Sequence, residues 1–110
     1  MTDLHKAVAA HAALFNAAVI SGDWTAFVAT FAEDAIMRFA NVPVGPFHGR
    51  ASIARAYEVQ PPDDTMTVRS VEELEPEVAE VDFAWNRGGS GTMTVRWRAG
   101  EVADLTIAFT

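Results

Sequence analysis

The chain has 110 residues, half of them hydrophobic, a formal net charge of −7 and no cysteine. Its length fits a single domain, residues 1–110, whose core takes about two-thirds of the unfolded surface out of water, and its apolar content and scattered charges argue against disorder. The missing cysteines exclude disulfides, thiolate zinc sites and a cysteine nucleophile, the acidic balance argues against a nucleic-acid partner, and no apolar run approaches the ~18 residues of a membrane span.

Leu4, Val8, His11, Phe15 and Ala18 recur at intervals of four and three, one face of a helix that the surrounding alanines favour. Gly22 can take the left-handed conformation that ends it, and Asp23 can cap the next helix. Trp24, Phe27, Val28 and Phe31 supply that second helix with a shorter apolar stripe. A short strand is expected from Ala35 to Ala40, with Met37 and Phe39 on one side and Ile36 and Arg38 on the other. Pro43, Gly45, Pro46 and Gly49 break it, a third helix runs from about Arg50 to Glu58 with Ile53 and Tyr57 one turn apart, and Pro61-Pro62 stops it. In this frame His48-Gly49-Arg50 reads as the entry to the third helix, not as an acid–base pair.

From Thr65 the period changes to two. Met66 and Val68, then Val81, Phe83 and Trp85, then Met93, Val95 and Trp97, then Leu105, Ile107 and Phe109 each alternate with neighbours of the opposite face. Pro76-Glu77, the segment from Arg87 to Gly91, and Ala99-Gly100 separate them as turns. Helices followed by a four-stranded antiparallel meander make an α+β arrangement. The acidic run Glu72, Glu73, Glu75, Glu77, Glu80 and Asp82 alternates with Val71, Leu74, Val78 and Val81, the pattern of a solvated hairpin edge and not of a metal site.

The sheet holds more apolar residues than one core face needs. With Val81, Phe83, Trp85, Leu105, Ile107 and Phe109 against the helices, Met93, Val95 and Trp97 are expected on the back of the sheet, where they would form a homodimer interface. In the other register of strand Thr92–Arg98, Trp97 is simply core.

Three segments, taken in order, resemble the nuclear-transport-factor-2-like superfamily, which includes the ketosteroid isomerases and the SnoaL-type polyketide cyclases. They are Ala18-Val19-Ile20-Ser21-Gly22-Asp23-Trp24, Phe31-Ala32-Glu33-Asp34-Ala35, and Phe47-His48-Gly49-Arg50-Ala51-Ser52-Ile53 leading to Tyr57. The meander with Trp85-Asn86 follows, so the likeness covers nearly the whole chain. It implies a cone-shaped fold, three N-terminal helices packed on a curved antiparallel sheet, with a pocket opening between them. It also implies where catalytic groups would stand. The tyrosine of the ketosteroid isomerases corresponds to Phe15, their aspartate base to Phe39, and their second acid falls near Ser90. A phenyl ring neither takes a proton nor donates one to an oxyanion, so that chemistry is not expected here.

The expected pocket lining is Phe15, Phe31, Phe39 and Tyr57 from the first half of the chain, with Val81, Phe83, Trp85, Leu105 and Phe109 from the meander. Such a lining suits a small apolar ligand, or fills the cone by itself. His11, Tyr57 and Arg96 are the polar candidates: His11 as a proton-transfer group or a hydrogen-bonded core residue, Arg96 as an anion contact if Trp97 faces outward or a strand-edge ion pair otherwise. The histidines at 5, 11 and 48 form no H-x-x-x-H pair, and nucleophile-elbow, phosphate-loop and dinucleotide motifs are missing, so no metal and no cofactor are expected. The N-terminus shows no basic-then-apolar leader, which favours the cytoplasm. Three readings follow: a small-molecule binder, an isomerase or cyclase using His11 or Tyr57, and a dimeric interaction module with a filled cone.

Overall fold

A computed structural model describes residues 3–110 of the chain. Helix α1 spans Leu4–Ser21; Asp3 caps it by accepting from the Lys6 amide at 3.2 Å, and Gly22, at φ 79°, ends it with its N–H on the Ala18 carbonyl. Its buried face carries Leu4, Val8, His11, Phe15 and Ala18, as the spacing predicts, together with Ala12. Helix α2, Thr25–Val28, is a single turn, and the Asp23 carboxylate accepts from the Thr25 amide at 3.0 Å.

The second apolar stripe does not continue as helix to Phe31. Both the amide and the hydroxyl of Thr30 donate to the Phe27 carbonyl, closing a turn, and Phe31 opens strand β1, Phe31–Phe39. The reason lies outside the local sequence. The Val102 amide donates to the Thr30 carbonyl, and Phe31 pairs in parallel with Val102 in the last strand. A two-residue strand β2, Phe47–His48, then pairs with β1, and Gly49, at φ 91°, turns the chain into helix α3, Arg50–Val59. The Gly49 amide donates to the Ala35 carbonyl at 2.7 Å and His48 is exposed, so the stretch leads into α3 at the expected place.

Strands β3 (Met66–Glu75), β4 (Val78–Trp85), β5 (Ser90–Arg98) and β6 (Glu101–Phe109) form the meander, with turns at the expected residues. The curved, unclosed sheet runs β2-β1-β6-β5-β4-β3, and the β1–β6 pair is parallel in an otherwise antiparallel sheet. Asn16 ties α1 to the start of β3 by a reciprocal pair of hydrogen bonds with the Met66 backbone, at 2.9 and 2.8 Å.

The face expected for β5 is corrected. Met93 stands opposite Val81 on one side and Ile107 on the other, and Val95 stands opposite Leu105. Cross-strand partners share a face, so Met93, Val95 and Trp97 all turn toward the helices, where they are buried. The back of the sheet carries Thr92, Thr94 and Arg96 instead, with the ion pairs Arg38–Asp104 at 2.6 Å and Arg69–Asp82 at 2.8 Å. The homodimer expectation loses the apolar patch on which it rested. The acidic run forms the β3–β4 hairpin, with Glu72, Glu73 and Glu75 exposed; no group of residues suited to a metal ion occurs among the described residues. No described helix is long and apolar enough to cross a membrane.

Candidate functional site

Aromatic rings fill the region where α1, α2 and α3 meet the sheet. Trp24 stacks on Tyr57 at 4.5 Å, and Phe15 meets Trp24 and Phe27 edge-on at 5.5 and 5.8 Å. Inside this packing a space of about 70 Å³ remains, far below the ~300 Å³ of an ordinary ligand pocket. Of the residues expected to line the cone, Phe15, Phe39, Tyr57, Phe83, Trp85, Leu105 and Phe109 do border it. Phe31 and Val81 do not border it and are fully buried in the core.

A second space lies beside the first. It is an open groove of about 460 Å³ between the β1–β2 connection, α3 and the end of β6. Asn41 holds the connection against β6, its amide nitrogen donating to the Phe109 carbonyl and its oxygen accepting from the Phe109 amide. From there Val42, Val44 and Phe47 form one wall, and Ala56 and Val59 of α3 form the other. Phe39, Tyr57, Pro62 and Phe109 border both spaces, so these four side chains stand between groove and interior. Phe39 stacks on Phe109 at 5.9 Å and meets Phe47 edge-on. Ser52, Arg55, Tyr57 and Gln60 are the residues with polar side chains in the groove lining. A larger depression of about 780 Å³ between α2 and α3 is more polar, bordered by Asp23, Arg50 and Glu58.

The sequence model of the SnoaL-like domain matches residues 11–108. The chain belongs to the SnoaL-like domain family. Its fold is that of the nuclear-transport-factor-2-like and ketosteroid isomerase-like proteins. Similar solved structures include a nuclear-transport-factor-2-like protein of unknown function from Burkholderia xenovorans, with TM-score 0.73 and 17% identity over 96% of this chain and 84% of that one. Another such protein, from Cytophaga hutchinsonii, has TM-score 0.68 and 16% identity over 91% and 87%. A computationally designed 17-OHP binder has TM-score 0.71 and 13% identity over 94% and 91%. No curated protein matches the chain.

At the places where the resemblance to the ketosteroid isomerases would put the tyrosine and the aspartate base, this SnoaL-like chain carries phenyl rings. Phe15 is buried among rings, and Phe39 presents a phenyl face to both spaces. Ser90 pairs its hydroxyl with that of Thr110 at 2.6 Å. His11 is 5% exposed, with its ring 5.0 Å from Phe27 and 6.2 Å from Phe31. Its Nδ1 is buried without a hydrogen-bond partner among the described residues. Burial lowers its pKa from 6.5 to about 4, so the ring is neutral at pH 7. Tyr57 is buried too. Its hydroxyl donates only to the Met37 sulfur, at 3.4 Å, and desolvation pushes its pKa up, so it keeps its proton and acts as a donor. Arg96 does not reach a cavity: Trp97 turns inward, and Arg96 lies exposed 3.7 Å from Glu75.

Sequence reasoning did not find the groove. Its wall comes from the segment read only as a strand breaker, yet Asn41-Val42-Pro43-Val44-Gly45-Pro46-Phe47 places three large apolar residues among the turn formers. That mixture is the usable signal, since a loop exposed on all sides has no use for them.

Proposed function

We propose that this SnoaL-like chain binds a small, largely apolar molecule in the groove beside α3, not in the interior of the cone. The groove itself carries the reading, because about 460 Å³ of mostly apolar space falls within the size range of small-molecule sites. Val44 and Val59 on its walls are 44% and 67% exposed, an exposure of large apolar side chains that a bound molecule would relieve. The Tyr57 hydroxyl offers a donor for one ligand oxygen, since the thioether it now meets is a weak acceptor. The computationally designed 17-OHP binder of the same fold supports the scaffold's capacity to hold a ligand.

Proton transfer by His11 is the second reading, favoured by its unpartnered Nδ1. The two spaces that border the ring measure about 70 and 160 Å³, below the ~300 Å³ of an ordinary ligand pocket, which speaks for the groove instead. Titration with the neutral fluorophore N-phenyl-1-naphthylamine tests the proposal. Saturable enhancement is expected in the native chain, and weakened binding in Val44→Gln/Val59→Gln with an unchanged melting curve. A probe that shifts the His11 imidazole resonances but not the Val44 and Val59 methyls would overturn the assignment to the groove.

A further inference from the structure

We propose that the groove selects apolar monocarboxylic acids, with Arg55 holding the carboxylate at its rim; this rests on the groove being a ligand site. The chain has seven arginines. Arg38, Arg69, Arg87, Arg96 and Arg98 each pair with an aspartate or glutamate, and Arg50 donates to the Phe31 carbonyl at 3.3 Å. Arg55 has neither an ion pair nor a hydrogen bond among the described residues. In a chain of net charge −7, this guanidinium remains without an acidic partner at the edge of an apolar groove.

The surroundings complete the argument. No acidic side chain borders the groove, so nothing there repels an anion or competes for Arg55. Ser52, Arg55, Ala56 and Val59 fall three, four and seven residues along α3 and therefore share one helix face, polar toward Ser52 and Arg55 and apolar toward Val59. The planar fork of a guanidinium matches a carboxylate with two parallel hydrogen bonds, and Ser52 or Gln60 can add a third. One cation at one rim answers one anionic group. The rest of the ligand must suit Val42, Val44, Phe47 and Val59, which disfavours diacids and sugars.

Calorimetric titration at pH 7.5 with 2-naphthoic acid and its matched neutral amide, 2-naphthamide, tests this. The acid is expected to bind about twofold to fivefold more tightly than the amide, the range for an exposed arginine–carboxylate pair. In Arg55→Gln the acid should fall to the affinity of the amide. Arg96→Gln, which changes the net charge equally on the back of the sheet, should keep the preference. Equal binding of acid and amide to the native chain overturns carboxylate selection and leaves the groove reading standing. A preference that survives Arg55→Gln overturns the role of Arg55. Failure of both compounds to bind removes the groove reading and this inference with it. A dimer in light scattering that Val44→Gln/Val59→Gln converts to monomer makes the groove a self-association surface and likewise overturns the inference.

Discussion

The interior of the cone and the groove beside α3 are built from the same kind of side chain and reach opposite outcomes. Inside, Phe15 of α1 closes on Trp85 of β4, and Phe83 of the same strand packs against Trp85, leaving about 70 Å³. In the groove, Val42 and Val44 on one wall stand across about 460 Å³ from Val59 on the other. An apolar inventory therefore does not by itself make a pocket. What matters is how far the facing layers reach: rings meet across the interior, whereas the valines at 42, 44 and 59 leave the groove open.

The sharpest way to break this contrast is to truncate the interior. Phe27→Ala should cost about 3–5 kcal/mol in urea unfolding, because the ring is fully buried and its neighbours cannot collapse onto the gap. The same measurement on Val44→Gln/Val59→Gln should show a change of no more than about 0.5 kcal/mol per site. Equal losses would mean that the groove wall is core.

Acidification should give the next effect. His11 is neutral in the fold at a pKa of about 4, against 6.5 when unfolded, so the unfolded chain takes up its proton first. Its contribution is complete above pH 6.5 and is lost as the pH falls toward 4, by roughly 3 kcal/mol in total. No carboxylate borders either space beside the ring to offset this. His11→Leu should lose correspondingly less stability between pH 7 and 4, and parallel curves for the two proteins would contradict the buried, unpartnered imidazole. Smaller again is Gly91→Ala, at about 1–3 kcal/mol. A Cβ there would lie 2.7 Å from the Ala108 carbonyl oxygen and 2.8 Å from the Phe83 ring. A neutral result would show that the interior has slack that its packing does not reveal.

The meander was legible because alternation and turn residues are local. Glu77 at φ 68° and Ala99 at φ 52° sit in turns that their neighbours announce. The entry to α3 was legible for the same reason, through Gly49. What escaped depended on distant partners. Phe31 continues a helical stripe in sequence, and its pairing with Val102 makes it a strand. The inward turn of Met93 and Trp97 is set by register with β4 and β6, which composition does not disclose. Seven of the nine expected cone residues do border the interior, but whether rings fill a cone or line it depends on their lengths across layers. Arg55 drew no notice because being unpaired is a property of the neighbours it lacks.

The parallel pairing of β1 with β6 has a consequence for synthesis. As the chain leaves the ribosome, β1, β2 and α3 emerge early, but β1 has no neighbour in the meander until β6 has been made. Through most of translation that edge presents unpaired backbone groups, the exposure that invites association between nascent chains. The groove inherits the same schedule, since Asn41 and Phe39 meet Phe109 only when the last strand docks. The groove therefore takes shape in one late step, together with the docking of β6.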